Sequence, residues 1–556
     1  MAQQWRPPGY LKQEEKQGLG SAGYGEDAAS VHEAFAAVAA RWPKRAFLNV
    51  LPETAEIYGI SPGEMTYAAA AAEVAALADR LRAAGYTRGQ RVMLLLENRP
   101  AFFLWFLAAN ALGMSVVPVN PDLRAAELAY MTGHAEPVLA VAIQARQGDL
   151  ATAVREAGIV MPVVGLDDAL PGPRGGSAIA LREGDAEAAL LYTSGTTGQP
   201  KGCILTNTYF LDMGRWYAGA GGLCALSEDG ERMITPLPVF HMNAMATSFM
   251  GMLAVGGCLT VLDRFHPKTW WDSVRASGAT CLHYLGVMPS MLMGAAPRAD
   301  DRMETVRFGF GAGVDPKLHA PFEERFGFPL VEAWAMTETG AGAVVANNIE
   351  PRRVGVSCLG RFIPEIEARI VDDAGAEAES GELLVRRAGP DPRRGFFAGY
   401  FRNEAATEEA WAGGWFHTGD IVAREADGSI YFRDRKKNVI RRSGENIAAV
   451  EVESVLMRHP EVAAAAVAAV PDAVRGDEVF ACIVPKGQAS EALARAIVAW
   501  CLGQLAYYKA PGYVAFVEAL PLTATQKIQR AVLKAQAAEL VGAPGTLDTR
   551  DMKKRQ

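Results

Sequence analysis

The sequence predicts an α/β protein built from two unequal units. The larger is N-terminal, made of parallel sheets packed with helices, and a small α+β unit follows it. Three observations carry this. The 556 residues exceed what one core holds, so two or more domains are expected. Residues 102–119 and 244–262 share one grammar: an apolar helical run, a glycine break, then a short apolar strand. Alternation of that kind argues for parallel strands covered by helices. A charged run at 433–438 then divides the chain, and shorter elements follow it.

Residues 66–85 have helical periodicity and a glycine stop at Gly85. Residues 188–192 and 115–119 read as buried strands. Residues 374–380 form a polar turn before a strand. The Ala/Val run 462–470 is expected to be a strand ending before Pro471, and the polar tail 546–556 to fray. The uncharged stretch 244–262 is long enough to span a bilayer, but its glycines divide it into helix and strand, so no membrane span is expected.

Half the residues are apolar and 21% are charged, and the net charge of −8 leaves no basic footprint for nucleic acid. Seven cysteines show no CxxC pair. This fits reduced thiols in a cytoplasm better than a disulfide framework or a zinc site. The opening residues are too polar for a secretory signal. The sequence does not fix an oligomeric state; a homodimer is one assembly it permits.

The most informative segment is 190–205, LLYTSGTTGQPKGCIL. After an apolar strand, hydroxyls from Thr193, Ser194, Thr196 and Thr197 alternate with Gly195, Gly198 and Gly202, and Lys201 adds a cation. Glycines let backbone N–H groups turn toward an anion, and the hydroxyls and ammonium supply further donors. The GxxGxxKG spacing differs from the usual NTPase loop. It resembles the phosphate-binding signature of the adenylate-forming superfamily, which includes acyl-CoA synthetases, adenylation domains and firefly-type luciferases. The resemblance extends over nearly the whole chain.

Further motifs follow in that family's order. Residues 330–339, LVEAWAMTET, resemble the motif in which an aromatic (Trp334) stacks on adenine, Thr337 contacts the α-phosphate and Glu338 holds Mg²⁺. Trp334 stands where Tyr is usual, and Ala333 and Ala335 replace glycines. Residues 308–314, FGFGAGV, resemble the strand and loop (Gly311, Ala312, Gly313) whose backbone lies against the base. In 414–420, GWFHTGD, Asp420 matches the carboxylate that accepts from the ribose hydroxyls. In 432–447, FRDRKKNVIRRSGENI, Arg435 matches a nucleotide-contacting arginine and Lys437 the hinge. Ser443, Gly444 and the residues to 447 would line the pantetheine tunnel of coenzyme A, with Arg441 or Arg442 near its phosphates. In 520–530, LPLTATQKIQR, Lys527 matches the catalytic lysine, a point cation between the attacking carboxylate and the α-phosphate. In PLPVFHMNA, His241 is a gate at the carboxylate end of the acyl pocket, and 283–289, HYLGVMP, matches a pocket strand. The nearby methionines are first of all core filler.

The resemblance, closest to the crotonobetaine/carnitine-CoA ligase-like branch, implies an accessory β-barrel in the large domain (1–436) and a mobile small domain (437–556). It implies an ATP-dependent acid–CoA ligase that uses Mg²⁺, acts through an acyl-adenylate and takes a small-molecule carboxylic acid. The acid itself stays open. Transfer to a carrier-protein phosphopantetheine, a nucleotide sensor without catalysis and a luciferase-like oxygenase are the alternatives.

Overall fold

The apolar runs fold as their glycines dictate. The computed structural model describes residues 22–176, 185–193, 199–372, 374–435, 439–521 and 528–554. In the first run, helix Pro100–Ala111 starts on a proline, where a missing N–H costs nothing. Gly113 turns with φ +69°, and strand Ser115–Pro118 follows, wholly buried. In the second, a π-helical turn, Asn243–Ser248, leads into helix Phe249–Val255. Gly256 closes that helix in the left-handed conformation, and strand Cys258–Val261 enters a sheet. Helix Tyr67–Ala83 is capped by the Thr66 hydroxyl, which accepts from the Ala69 N–H. Among the described residues no helix is long and apolar enough to cross a membrane.

Two large sheets carry the N-terminal domain. The eight-stranded sheet runs Val345–Ala346, Leu330–Trp334, Phe308–Ala312, Cys281–Leu285, Arg232–Thr235, Cys258–Val261, Ala46–Val50, Gly63–Thr66. Its interior is parallel and both outermost pairs are antiparallel. The seven-stranded sheet is parallel from Glu187–Thr193 to Val163–Val164, with two antiparallel strands, Lys201–Thr206 and Gly399–Tyr400, at the other edge. The sheets are therefore mixed, with parallel centres and antiparallel margins. Where a barrel is expected, strands Cys358–Gly360, Ile430–Arg435, Phe416–Arg424, Ser380–Arg387 and Ile366–Val371, in that order, form a five-stranded antiparallel sheet.

One hydrophobic core runs from Ala22 to Ile430, and a separate one begins at Ile440. The small domain has a six-stranded sheet with helices Ala449–Met457, Glu491–Gln504 and Arg530–Leu540.

Two expectations for this domain are corrected. The strand expected to end before Pro471 runs Val462–Asp472, with Pro471 opposite Asp477 at the hairpin end. It is paired along one side only, where proline is tolerated. Over its described residues, 546–554, the tail is ordered rather than frayed: Thr546–Asp548 pairs with Tyr513–Phe516, and the Lys553 ammonium is buried against Glu478. Burial first, then Arg442, lowers the Lys553 pKa to about 7 against the opposing pull of Glu478.

Candidate functional site

The described flanks of segment 190–205 pair with one another. Strands Glu187–Thr193 and Lys201–Thr206 pair antiparallel, and Thr193 faces Lys201 as the last pair. Ser194, Gly195, Thr196, Thr197 and Gly198 lie outside the described residues. At the Thr193–Lys201 pair, the Lys201 ammonium sits 4.6 Å over the Tyr400 ring. The Tyr400 hydroxyl donates to Glu338 Oε1 at 3.0 Å, and Thr193 Oγ1 donates to the same oxygen at 3.4 Å. Burial, then the Glu338 charge, pushes the Tyr400 phenol far up, so it stays a donor.

Strand Leu330–Trp334 delivers Glu338 through a turn in which the Thr339 hydroxyl accepts from the Met336 N–H at 2.9 Å. Tyr209 anchors the same turn by donating to the Thr337 carbonyl at 2.9 Å. Ala335 and Thr337 are half-buried while Glu338 is buried. Thus Thr193, Lys201, Thr337 and Glu338 lie close to one another. Tyr400 was not singled out by sequence; its only signal is the aromatic run at 396–401.

At the end of strand Leu330–Trp334, the Trp334 indole N–H donates to Asp420 Oδ2 at 2.8 Å. Phe362 meets the indole edge-on, with ring centroids 6.1 Å apart. Asp420 stands opposite Arg435 in the ladder of the accessory sheet, which brings both motifs to one place along the backbone. Gly311 has a packing reason of its own: a Cβ there would lie 2.2 Å from the Tyr284 carbonyl oxygen. Gly313, after Ala312, has φ +79° and open space beside it.

Among the described residues the small domain reaches this site through one hairpin. Ser443 (φ 52°) and Gly444 (φ 91°) form the two-residue turn between Val439–Arg442 and Glu445–Ala448. Gly444 presses on Leu285 of the large domain so closely that a Cβ would come within 2.3 Å of Leu285 Cδ1. The next residue, Glu445, puts Oε2 3.1 Å from His241 Nε2. Desolvation pulls the His241 pKa down, but the charge and hydrogen bond of Glu445 outweigh it, and the net shift is upward. His241 thus faces a carboxylate at a domain junction, and Glu445 is the partner that sequence reasoning passed over within its own motif.

Behind His241, the π-helical turn places Asn243 and Ser248 on the buried His283. Asn243 Oδ1 and Ser248 Oγ each lie 2.8 Å from His283 Nδ1, and the Tyr217 hydroxyl lies 2.9 Å from Nε2. Because Oδ1 only accepts, Nδ1 carries the proton and Nε2 accepts from Tyr217. Burial lowers the His283 pKa to about 3.

Of the two arginines expected near the CoA phosphates, Arg442 is buried here, its Nε bonded to Glu478 at 2.8 and 2.9 Å. Lys437 and Lys527 lie outside the described residues. Arg435 is placed by its backbone, opposite Asp420.

Comparison with known proteins points to one family. A sequence-family model described as AMP-binding enzyme matches residues 35–401, and one described as AMP-binding enzyme C-terminal domain matches 451–527. The chain is 32% identical over 509 residues to a sulfoacetate–CoA ligase of Cupriavidus necator, covering 88% of this chain and 95% of that one. It is 30% identical over 474 residues to crotonobetaine/carnitine–CoA ligase of Escherichia coli, covering 81% and 89%. Among solved structures, the fold matches o-succinylbenzoate CoA synthetase of Bacillus subtilis, at 24% identity, with 90% of this chain and 98% of that one covered. The TM-score is 0.76 for a double mutant bound with its product analogue OSB-NCoA. For the complex with AMP it is 0.61, at the same identity and coverage.

Proposed function

The chain belongs to the AMP-binding enzyme family, and on that footing we propose how its residues divide the labour of an acid–CoA ligase. It is an AMP-forming acyl-CoA synthetase. A substrate carboxylate oxygen attacks the α-phosphorus of ATP, pyrophosphate leaves, and an acyl-adenylate remains. The thiol of coenzyme A then attacks the acyl carbon, AMP leaves with the bonding electrons, and the thiol proton passes to solvent.

In our reading the large domain spans 1–436 and the small domain 437–556. The loop from Thr193 to Gly202 cradles the β- and γ-phosphates with Lys201, and Thr337 contacts the α-phosphate. Trp334 faces adenine beside Gly311 and Gly313, and Asp420 with Arg435 holds the ribose. Glu338 offers Mg²⁺ one buried carboxylate, already oriented by Tyr400 and Thr193. Among the described residues no group of three or more His, Cys, Asp or Glu could hold a metal. That donor set suits an ion that takes one carboxylate and completes its shell with phosphate oxygens and water. Bound there, Mg²⁺ would neutralise charge on the phosphates. A cytoplasmic location fits seven free cysteines, all buried.

The observation that carries the division of labour is the docking of the hairpin tip, Ser443–Glu445, on Leu285 and His241. The tip occupies the acyl end of the site, and the Ser443 hydroxyl is buried with no partner among the described residues. The greater likeness to the product-analogue form than to the AMP form of one solved enzyme supports the same reading: this arrangement serves thioester formation. A turn about Lys437 then brings Lys527 in for adenylate formation.

The test separates the half-reactions. Lys527→Ala should slow pyrophosphate release from ATP and acid by about 10²–10³, the scale for losing one preorganised donor. It should leave thioester formation from supplied acyl-adenylate and CoA near the parent rate. Equal losses in both steps would remove Lys527 from this role. A panel of carboxylic acids, scored by CoA-dependent AMP release, identifies the substrate; a carrier-protein arm tests the other acceptor.

A further inference from the structure

A second tie joins the domains away from the reaction centre. The Lys509 side chain is 8% exposed, and its ammonium lies 2.6 Å from Glu127 Oε1 of the large domain. It also lies 2.7 Å from Glu451 Oε1 of the small domain. Glu127 stands in the first turn of helix Ala125–Ala135, fixed by the Arg124 N–H at 2.9 Å. The same carboxylate accepts from the Ala506 N–H at 2.9 Å. One residue before Lys509, the Tyr508 hydroxyl accepts from Asn120 Nδ2 at 2.9 Å. A four-residue stretch of the small domain is thus bound twice to Glu127, at the N-terminal edge of one helix, and once to Asn120 in the loop before it.

We propose that Glu127 and Lys509 are positioning residues of the thioester half-reaction, holding the small domain where Glu445 meets His241. This rests on the reading that the small domain changes place between the two half-reactions. The pairing is asymmetric. When the domains part, Lys509 keeps Glu451, while Glu127 keeps only the Arg124 N–H and regains water. On docking, Lys509 gains its second carboxylate and Glu127 gains the ammonium and the Ala506 N–H. Burial opposes the Lys509 charge, but the two carboxylates outweigh it and hold the amine above its usual range. Each member is expensive to leave unpaired in a closed interface, so the contact forms only when the register is correct. Without the cation, Glu127 and Glu451 would be two carboxylates facing one another, and docking would be opposed.

Two variants test this on the full-length enzyme. Glu127→Gln leaves the Lys509–Glu451 pair inside the small domain intact, so that domain keeps its own contacts. Lys509→Met brings the two carboxylates together. Each half-reaction is measured separately, and a donor–acceptor dye pair, one on each domain, reports docking. With Glu127→Gln, thioester formation from acyl-adenylate and CoA should fall about tenfold or more, as expected for breaking a largely buried ion pair. Pyrophosphate release should stay within about twofold, since the undocked arrangement does not use the contact. The docked population should fall in parallel, Lys509→Met should lose more than Glu127→Gln, and Lys509→Arg should recover part of the loss.

Parent-like thioester rates and docking in both variants would overturn the proposal, as would equal losses in both half-reactions. If the parent enzyme shows no change in dye distance between its ATP-bound and CoA-bound states, the domain motion itself is refuted and the proposal falls with it. A parent that moves while both variants move identically defeats the tie alone.

Discussion

Trp334 and Asp420 are not independent: the indole N–H donates to the carboxylate at 2.8 Å, and the two side chains are 5% and 0% exposed. The motifs alone assign one to the base and the other to the ribose, as separate contacts. The hydrogen bond makes Trp334 part of what orients Asp420. A tyrosine at this position has no donor at the corresponding ring atom, so the coupling follows from this chain's own tryptophan.

Trp334→Phe tests the coupling because it keeps an aromatic face and removes the donor. A hydrogen bond to a charged group is worth roughly 1.5–3 kcal/mol. ATP should therefore bind about ten- to a hundredfold more weakly, at about 1.4 kcal/mol per decade. Discrimination between ATP and 2′,3′-dideoxy-ATP should also fall, although the substitution touches no ribose contact. In a calorimetric double-mutant cycle with Asp420→Ala the two losses should be less than additive. Strict additivity, with discrimination unchanged in Trp334→Phe, would return Trp334 to a stacking role alone.

The parts legible in the sequence are those written in local chemistry. Glycine breaks at Gly113 and Gly256 dictate helix-to-strand transitions whatever lies around them. The phosphate-loop hydroxyls and the strand before Glu338 sit on short contiguous segments, so their order along the chain carries their meaning. What the sequence hides depends on distant partners. Tyr400 matters because a 62-residue separation closes onto Glu338, and Glu445 because it crosses 204 residues to His241. Arg442 reads as a free cation beside a tunnel until Glu478 appears next to it. Lys553, in a tail whose composition suggests fraying, is held by that same carboxylate. Pro471 ends a strand by local rules but not at the outer edge of a hairpin.

The His283 cluster makes stability sensitive to acid. Burial depresses its folded pKa to about 3, from an ordinary value of 6.5. An unfolded chain takes up a proton near the ordinary value while the folded one refuses it. The contribution is therefore fully present above pH 6.5 and is lost as pH falls toward 3. The slope reaches at most ~1.4 kcal/mol per pH unit from this group. In urea denaturation at two pH values about one unit apart, below the ordinary histidine range, the parent should lose more stability than His283→Gln. The variant should start less stable, since it breaks the contacts to Asn243 and Tyr217. Identical pH dependence in the two proteins would show that His283 takes up its proton without unfolding.

Docking of the small domain should depend on pH with the opposite sign. Apart from Glu445, desolvation is the cause acting on His241, and it lowers the pKa; with Glu445 in place the pKa is raised. The docked form therefore binds the proton more tightly than the undocked form, and docking takes up a proton. The favourable pairing is fully present below the undocked pKa and is lost as pH rises through the raised docked value, a window that begins near 6.5 and extends upward. The interdomain dye pair, read with acyl-adenylate and CoA bound, should thus report fewer docked molecules as pH rises across this window. Glu445→Gln keeps a hydrogen-bonding side chain but removes the charge that lifts His241, so its docking should start lower and respond little to pH. The dye signal is the proper readout, because the CoA thiol itself reacts faster as it ionises and would mask the trend in a rate. A parent whose docked fraction rises with pH, or a Glu445→Gln variant with the parent's full pH response, would place the sensitivity elsewhere in the interface.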